Sequence, residues 1–169
     1  EAALAVGVVD AFRAAGLKIF GPTKAATQIE SSKEFAKDLM KKYSIPTAAY
    51  EVFDNYEAAF EYVKKGTFPT VLKYDGLAAG KGVVICEDEQ MAKDTLKEMM
   101  VDGSLGSAGN TIVLEEFLTG FECSLLCFVD GDTIVPMVSA KDHKQVYDGN
   151  KGPNTGGMGT VSPNPFLPD

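Results

Sequence analysis

The feature that most constrains this chain is a glycine-rich loop held between two short apolar runs. Residues 71–85 read VLKYDGLAAGKGVVI, with three glycines and two alanines between residues of high strand propensity. Glycine accepts backbone angles closed to other residues, and small side chains let the backbone approach a ligand closely. Successive N–H groups in such a loop bind anions, and Lys73 and Lys81 place positive charges beside them. The segment therefore predicts a phosphate-binding loop carried between two strands.

The spacing of this loop excludes two well-known phosphate-binding loops. A P-loop has four residues between its first glycine and a Gly-Lys-Ser/Thr triplet, and it leads into a helix. Here three residues separate Gly76 from Gly80, Gly82 replaces the hydroxyl residue, and a β-branched run follows. A protein-kinase glycine loop lies between strands, but its lysine follows the loop, whereas Lys73 precedes this one. The loop is therefore of another kind.

Charge and composition exclude two broad classes of partner. The 169 residues include 16 basic and 24 acidic side chains, which gives a net charge of −8. Nucleic-acid surfaces need clustered lysine and arginine, so we expect no nucleic-acid partner. No apolar stretch approaches the ~20 residues that cross a bilayer, so we expect no membrane partner. The three cysteines at 86, 123 and 127 lie in apolar surroundings and predict buried, reduced thiols in a cytoplasmic protein.

Hydrophobic periodicity predicts a mixed α+β chain. We expect helices over 1–16, 24–43, 56–65 and 89–100. We expect strands over 17–20, 47–53, 69–73, 82–86, 111–115, 122–129 and 133–138. The polar, glycine-rich stretch from Asp142 onward is expected to be loop, and the proline-rich segment 162–169 is expected to close no element. Both ends therefore predict a piece of a longer protein.

Four blocks, in order along the chain, resemble the ATP-grasp ligases and most closely the phosphoribosylamine–glycine ligase family. They are GPTK at 21–24, KYDGLAAGKG at 73–82, DHK at 142–144 and GPNTGGMG at 152–159. The sequence LEEFL at 114–118, followed by Glu122, matches the ATP-grasp pattern as well. The resemblance implies an incomplete ATP-grasp fold whose small lid lobe of strands and helices is intact.

The resemblance also implies a domain organisation. Residues 1–21 are expected to be the tail of a truncated N-terminal α/β domain, and 22–47 the linking helix of the ATP-grasp core. Residues 48–116 are expected to form the small lid subdomain. Residues 117–169 are expected to begin the second ATP-grasp subdomain, which is truncated.

The activity implied by the resemblance is an ATP-dependent ligation in purine biosynthesis. Glycine is joined to 5-phosphoribosylamine through a glycyl phosphate, giving glycinamide ribonucleotide, ADP and phosphate. Lys73 and Lys81 match the lysines that neutralise phosphate charge, and Lys33 matches a further lysine that contacts ATP. The other nucleotide contacts that the resemblance implies are Gly80 and Gly82 in the loop, Glu115, Glu116, Phe117 and Leu118 at a hinge whose backbone reads adenine, and Glu122 on the ribose hydroxyls.

The two later blocks are implied to lie near the other substrates. The residues concerned are Asp142, His143, Lys144, Asn154, Thr155, Gly156, Gly157, Met158 and Gly159. The ligands of Mg²⁺ or Mn²⁺ are expected beyond residue 169, so no metal ligand is expected in this chain. We therefore expect the chain on its own to be inactive.

Two other functions remain open from the sequence. The chain can be a nucleotide-binding module without chemistry, or part of another ATP-grasp carboxylate–amine ligase. Several site residues also have structural interpretations. Lys33 can be a solvated helix lysine, Glu122 an exposed strand carboxylate, and residues 154–159 a turn-rich loop.

Overall fold

The chain folds into two compact units, and each is described on its own. The computed structural model describes residues 1–77, 82–103 and 110–167. The first unit contains the described residues up to Leu118, and the second begins at Thr119. Gly80 and Lys81, two of the expected nucleotide contacts, lie outside the described residues.

The described residues form helices and antiparallel strands, which confirms the predicted mixed α+β class. The helices are α1 Ala2–Ala5, α2 Val8–Ala14, α3 Lys24–Ser31, α4 Lys33–Lys42, α5 Tyr56–Val63 and α6 Glu89–Met100. The strands are β1 Tyr50–Phe53, β2 Thr70–Tyr74, β3 Val83–Cys86, β4 Ile112–Glu116, β5 Cys127–Asp130, β6 Thr133–Pro136, β7 Lys141–Tyr147 and β8 Lys151–Val161.

The first unit is built on an antiparallel sheet with the strand order β1-β4-β2-β3. Alternate residues of β2 and β4, including Leu72, Ile112 and Leu114, are buried in a core shared with α5 and α6. Because side chains alternate between the faces of a strand, Lys73 and Glu115 belong to the opposite face. One face of the sheet therefore holds the hydrophobic core, and the other carries charged side chains.

Polar caps define the helix starts in this unit. The side chains of Thr23, Ser32, Asn55 and Asp88 each accept a hydrogen bond from the N–H three residues further on. The single helix predicted over 24–43 is wrong, because Ser32 has an extended backbone and interrupts it. Its side chain then caps a new helix, α4, which begins at Lys33.

The strand predicted over 17–20 is wrong. These residues belong to no helix or strand, and Leu17 and Phe20 are exposed. A strand needs a hydrogen-bonded neighbour, and no strand of the described residues pairs with this segment. Apolar sequence without a partner strand is therefore not enough to make a strand here.

The second unit contains two antiparallel strand pairs, β5–β6 and β7–β8. The predicted strand 122–129 is shorter than expected, because β5 starts only at Cys127 and Ser124 forms an isolated bridge with Ala140. The expectation of loop from Asp142 onward is wrong. β7 and β8 were not predicted because their residues are polar and glycine-rich. The two strands pair through their backbones around a turn at Gly149 and Asn150, both with positive φ.

The end of the described chain is also more ordered than its proline content suggests. Asn164 is buried, and its side-chain amide donates hydrogen bonds to the carbonyl oxygens of Glu122 and Ala140. Its backbone N–H donates to the carbonyl of Ser139. The expectation that 162–169 closes no element is therefore wrong for this residue, which ties the start of the unit to its end.

The cysteines fulfil only part of the prediction. Cys86 is buried at the end of β3, and burial raises the pKa of its thiol. Cys123 and Cys127 are exposed, so the prediction of buried thiols is wrong for both. Within the described residues, no helix is both long enough and apolar enough to cross a bilayer.

The core of the first unit predicts a specific stability loss. Leu96 on α6 is fully buried against the sheet, so Leu96→Ala should lower the free energy of unfolding by about 2–5 kcal/mol, through lost burial and a cavity. Met91→Ala on the same helix, where the side chain is 40% exposed, is the control and should change the free energy by less than ~0.5 kcal/mol. Urea unfolding of both variants measures the difference, and equal losses would contradict this account of the core.

Candidate functional site

A cluster of lysines lies on the charged face of the sheet. Helix α4 begins with Lys33, and Lys37 follows one helical turn later on the same side. Lys73 occupies the next-to-last position of β2, just before the glycine loop. Lys37 forms an ion pair with Glu115 near the end of β4. The charge of Glu115 also favours the protonated form of Lys33. The helix and two strands thus bring three lysines to one carboxylate.

Glu115 is the anion at the centre of this cluster. It is buried near the end of β4, and its Oε2 lies 2.8 Å from Lys73 Nζ and 3.1 Å from Lys37 Nζ. The pairing register explains the first contact, because Glu115 stands opposite Val71 and is therefore diagonal to Lys73 across the β2–β4 ladder. A buried carboxylate needs such partners, since an isolated buried charge is costly.

Asp75 joins the start of α4 to the start of the glycine loop. Its Oδ1 accepts hydrogen bonds from Ser32 Oγ at 3.1 Å and from the Glu34 N–H at 2.7 Å. Its backbone carbonyl accepts the Lys33 N–H at 3.2 Å. A carboxylate at a helix N-terminus is also stabilised by the helix dipole. These bonds hold Lys33 at the point where the loop leaves β2.

Lys33 is half-buried beside this junction. Its Nζ donates a hydrogen bond to the carbonyl of Gly76 at 3.2 Å. Burial lowers the pKa of the Lys33 ammonium below its usual value, Asp75 opposes that shift, and the nearby Lys73 ammonium adds to it. Lys33 at the start of α4 and Lys73 near the end of β2 thus both lie beside the residues that open the glycine loop.

The arrangement offers two partly exposed ammonium groups to an anion. Three lysines face the carboxylates of Glu115 and Asp75, and the side chain of Lys73 is 25% exposed while that of Lys37 is 8% exposed. Ammonium groups bind phosphate oxygens as point charges. Lys33 and Lys73 are therefore the residues of the cluster that can meet a polyanion at the base of the loop.

The expected hinge, residues 115–118, begins at Glu115 of this cluster. Glu116 is clamped to Ala49, since its N–H donates to the Ala49 carbonyl and its Oε1 accepts the Ala49 N–H, both at 3.0 Å. The Glu115 carbonyl accepts a hydrogen bond from Thr70 Oγ1. Both glutamates thus have structural partners, and the chain then leaves the sheet at Phe117 and Leu118, which are exposed.

The β7–β8 hairpin brings the two later sequence blocks together in the second unit. His143 stands opposite Gly159 and Gln145 opposite Asn154, so a short stretch of β7 faces a longer bulged stretch of β8. His143 Nδ1 lies 3.2 Å from the Gly159 carbonyl. Residues 142–144 and 154–159 therefore lie on the two strands of one hairpin.

Side chains fix the shape of this bulge. Thr155 Oγ1 donates to the Lys144 carbonyl at 2.8 Å and accepts the Gly157 N–H at 3.0 Å. Asp142 lies against Gly157, where an added Cβ would come within 3.1 Å of Oδ1 and φ is +122°. Glycine is needed at this position for both reasons. Gly156, Met158 and Gly159 are exposed beside it.

The remaining expected residues lie elsewhere. Gly82 is buried, and its carbonyl accepts the Tyr74 N–H at 2.9 Å, which extends the β2–β3 pairing toward the loop. Glu122 belongs to the second unit, where its side chain is exposed and its backbone carbonyl accepts a hydrogen bond from Asn164. Glu122 thus has a structural role through its backbone.

Sequence reasoning missed Lys37 and Asp75. Lys37 follows Lys33 by four residues, so a helical projection would have placed both on one face. Asp75 gave no signal as a helix cap, because the helix it caps lies about forty residues earlier in the sequence. Contacts of this kind become visible only when the tertiary structure is known.

The described residues hold no cluster of metal-ligating side chains. Within them, no group of three or more His, Cys, Asp or Glu side chains is placed to hold a metal ion. The carboxylates nearest the lysines already have partners, since Asp75 caps α4 and Glu115 pairs with two ammonium groups. A Mg²⁺ ion that also binds substrate phosphates needs only one or two carboxylates, so this finding concerns a site built from the protein alone.

Solved structures with a similar fold define the class of protein. The crystal structure of phosphoribosylamine–glycine ligase from Thermotoga maritima superposes with a TM-score of 0.77 at 40% identity, covering 83% of this chain and 36% of that one. A biotin carboxylase domain from Hydrogenobacter thermophilus, in complex with MgADP, shares the fold with a TM-score of 0.65 at 18% identity, over 80% of this chain and 31% of that one. With the lysine cluster beside a glycine loop, the fold is that of an ATP-grasp protein.

Sequence comparison narrows this class. The model of the phosphoribosylglycinamide synthetase ATP-grasp (A) domain matches residues 31–169, and the chain belongs to that family. The phosphoribosylamine–glycine ligase of Clostridium acetobutylicum is 57% identical over 166 residues, which is 98% of this chain and 40% of that protein. The enzyme of Yersinia pestis is 52% identical over 169 residues, 100% of this chain and 40% of its own length. The chain thus spans about 40% of the length of these curated relatives.

The lysine cluster predicts how Lys33 titrates. Because burial and the charge of Lys73 both lower its pKa, the Lys33 ammonium should lose its proton below the usual pH for a lysine side chain. Removing the repulsion with Lys73→Met should raise the pKa of Lys33, and removing the attraction with Asp75→Asn should lower it further. Lys97→Met on α6, an exposed lysine, is the charge-matched control and should leave the pKa of Lys33 unchanged. An NMR titration of the Lys33 side chain measures these shifts, and a midpoint at or above the usual lysine value would contradict the geometry.

Proposed function

We propose that this chain is the ATP-binding part of a ligase that joins glycine to 5-phosphoribosylamine. The products are glycinamide ribonucleotide, ADP and phosphate, and a glycyl phosphate is the intermediate. The observation that carries the proposal is the convergence of Lys33 and Lys73 at the base of the glycine loop, in a chain whose relatives are phosphoribosylamine–glycine ligases. Positioning and charge neutralisation are what phosphoryl transfer demands of a protein.

Each part of the first unit then has a task in nucleotide binding. Lys73 and Lys33 bind the phosphates, and the loop that follows Gly76, with Gly80, Lys81 and Gly82, covers them. The segment after β4 reads the adenine edge through backbone groups of Phe117 and Leu118, because the Glu116 N–H is already bonded to Ala49. In the second unit, Glu122 matches the ATP-grasp residue that accepts the ribose hydroxyls, and we assign it that role from the resemblance alone.

The β7–β8 hairpin supports a role for the second unit in holding the other substrates. The glycine-rich bulge of β8 at 155–158 is the part of the hairpin that we assign to phosphate binding through backbone N–H groups other than that of Gly157, which is bonded to Thr155. Asp142, His143 and Lys144 lie on the facing strand. We assign the phosphate of 5-phosphoribosylamine to this bulge. Mg²⁺ or Mn²⁺ is held by residues outside those described, so no step of the reaction is assigned to the metal here.

The division of the chain supports a domain assignment. We assign residues 48–116 to the small lid subdomain and 117–169 to the start of the second ATP-grasp subdomain. The compact units divide after Leu118, close to the second of these boundaries, and they do not separate residues 1–47 from the lid. Residues 22–47 link the lid to the core, and residues 1–21 are the tail of a preceding domain.

A chimera tests the proposed activity. In this chimeric ligase, the chain replaces the matching 40% of the Clostridium acetobutylicum enzyme. It should form glycinamide ribonucleotide and ADP at a rate within about tenfold of the unmodified enzyme, because the site residues are retained. The chain alone should form neither product, because the ligands of Mg²⁺ or Mn²⁺ are expected beyond residue 169. Full turnover by the chain alone would contradict the proposal, as would a folded chimera that binds ATP without ligating glycine.

The role of Lys73 is tested in the same chimeric ligase. Lys73→Ala should weaken ATP binding by about ten- to a hundredfold, the usual cost of losing a charged hydrogen bond. Lys97→Ala removes an exposed lysine of the same unit and should leave the affinity unchanged. Calorimetric titration with ATP measures both dissociation constants. Equal affinities for the two variants would remove Lys73 from the nucleotide site.

A further inference from the structure

The resemblance to the ATP-grasp ligases assigns no role to Lys37, the third lysine of the cluster. It is 6% exposed, in the middle of α4. Its ammonium has three partners in the protein, namely Glu115 Oε2 at 3.1 Å, Thr47 Oγ1 at 2.8 Å and the Ala48 carbonyl at 3.3 Å. Two of these contacts are hydrogen bonds and the third is an ion pair, so the protein holds the ammonium on three sides. Buried in this way, Lys37 is not placed to contact a ligand.

Lys73 differs from Lys37 although both bind the same oxygen of Glu115. Its side chain is 25% exposed and stands at the end of β2 that opens into the glycine loop. To bind a phosphate, the Lys73 ammonium must turn away from Glu115 or share its donors with the ligand. Glu115 cannot follow it, because its side chain is only 6% exposed and its strand is paired on both sides.

The departure of Lys73 would leave a buried carboxylate with one partner fewer. An uncompensated buried charge costs several kcal/mol, and that cost would oppose the release of Lys73. Lys37 would offset this cost, because its own contacts with Glu115, Thr47 and Ala48 do not involve Lys73. Lys37 can therefore remain the counter-ion of Glu115 while Lys73 binds phosphate.

We propose that Lys37 is a positioning residue for ATP binding, the permanent counter-ion of Glu115 that lets Lys73 exchange this carboxylate for a nucleotide phosphate. The proposal rests on the proposed function, which assigns Lys73 to ATP. Lys37 itself contacts no substrate, and it acts through Glu115. Its removal should therefore affect ATP binding only while Glu115 carries a charge.

A double-mutant cycle in the chimeric ligase tests this dependence. Lys37→Met keeps the aliphatic stem and removes the charge, and it should raise the KM for ATP by about tenfold or more, as expected for coupled charges in contact. The KM for glycine should stay unchanged, and kcat should change by less than about threefold. In a Glu115→Gln background, the same Lys37→Met substitution should raise the KM for ATP by less than about threefold, because no buried anion remains to be compensated.

Two control variants separate this role from a purely structural one. Lys41→Met removes an exposed lysine one turn further along α4 and should leave every kinetic constant unchanged. Thr47→Val removes one hydrogen bond of Lys37 but keeps its ion pair, so it should lower the melting temperature without raising the KM for ATP. If Lys37 only anchored α4, Lys37→Met would raise the KM equally with and without the charge of Glu115, and that result would overturn the proposal.

The double variant decides the question if Lys37→Met alone does not fold. With Glu115→Gln present, no unpaired carboxylate is buried, so the double variant should fold and show a KM for ATP within about threefold of Glu115→Gln alone. A KM about tenfold higher would overturn the proposal.

Lys73→Ala distinguishes failure of this inference from failure of the proposed function. If Lys73→Ala leaves the KM for ATP unchanged, the nucleotide site itself is misassigned. If Lys73→Ala raises the KM and Lys37→Met does not, the site stands and only the role of Lys37 is overturned.

Discussion

The first unit depends on one buried carboxylate. Glu115 lies near the end of the interior strand β4, and its Oε2 binds the ammonium groups of Lys73 on β2 and Lys37 on α4. A charge in this position must be paired, so it constrains where the helix can sit against the sheet. The requirement also fixes the direction of Lys73 at the edge of the glycine loop. An interaction that stabilises the fold thus determines the geometry of the candidate nucleotide site.

The alternation of side chains along β2 and β4 separates stability from function. Leu72 and Leu114 point into the core with α5 and α6, while Lys73 and Glu115 belong to the other face. The functional groups are therefore carried by strands whose positions are set by close packing on the opposite side. Asp75 continues this principle past the end of β2, because it links the loop to the helix that carries Lys33.

Local patterns predicted the parts of the structure that depend on local physics. The helices over 56–65 and 89–100 were predicted closely, because helix periodicity and N-caps such as Asn55 and Asp88 act within a few residues. The partnership of Lys37 with Glu115 was not predicted, because the two residues are brought together only by the packing of α4 on the sheet. The family motifs identified Lys33 and Lys73, since they record ligand chemistry, but said nothing of the residues behind them.

The β7–β8 pair was missed for a different reason. Strand prediction relies on β-branched and aromatic side chains, whereas this hairpin is held by backbone pairing of polar and glycine residues. In the first unit, the strand order β1-β4-β2-β3 also bears on folding, because the interior strand β4 is the last of the four in sequence. The β2–β3 hairpin needs only residues 70–86, whereas β1 has no neighbour in the sheet until β4 is present. Since Glu115 lies on β4, the sheet can be completed and Lys37 can gain its acid partner only through the same strand.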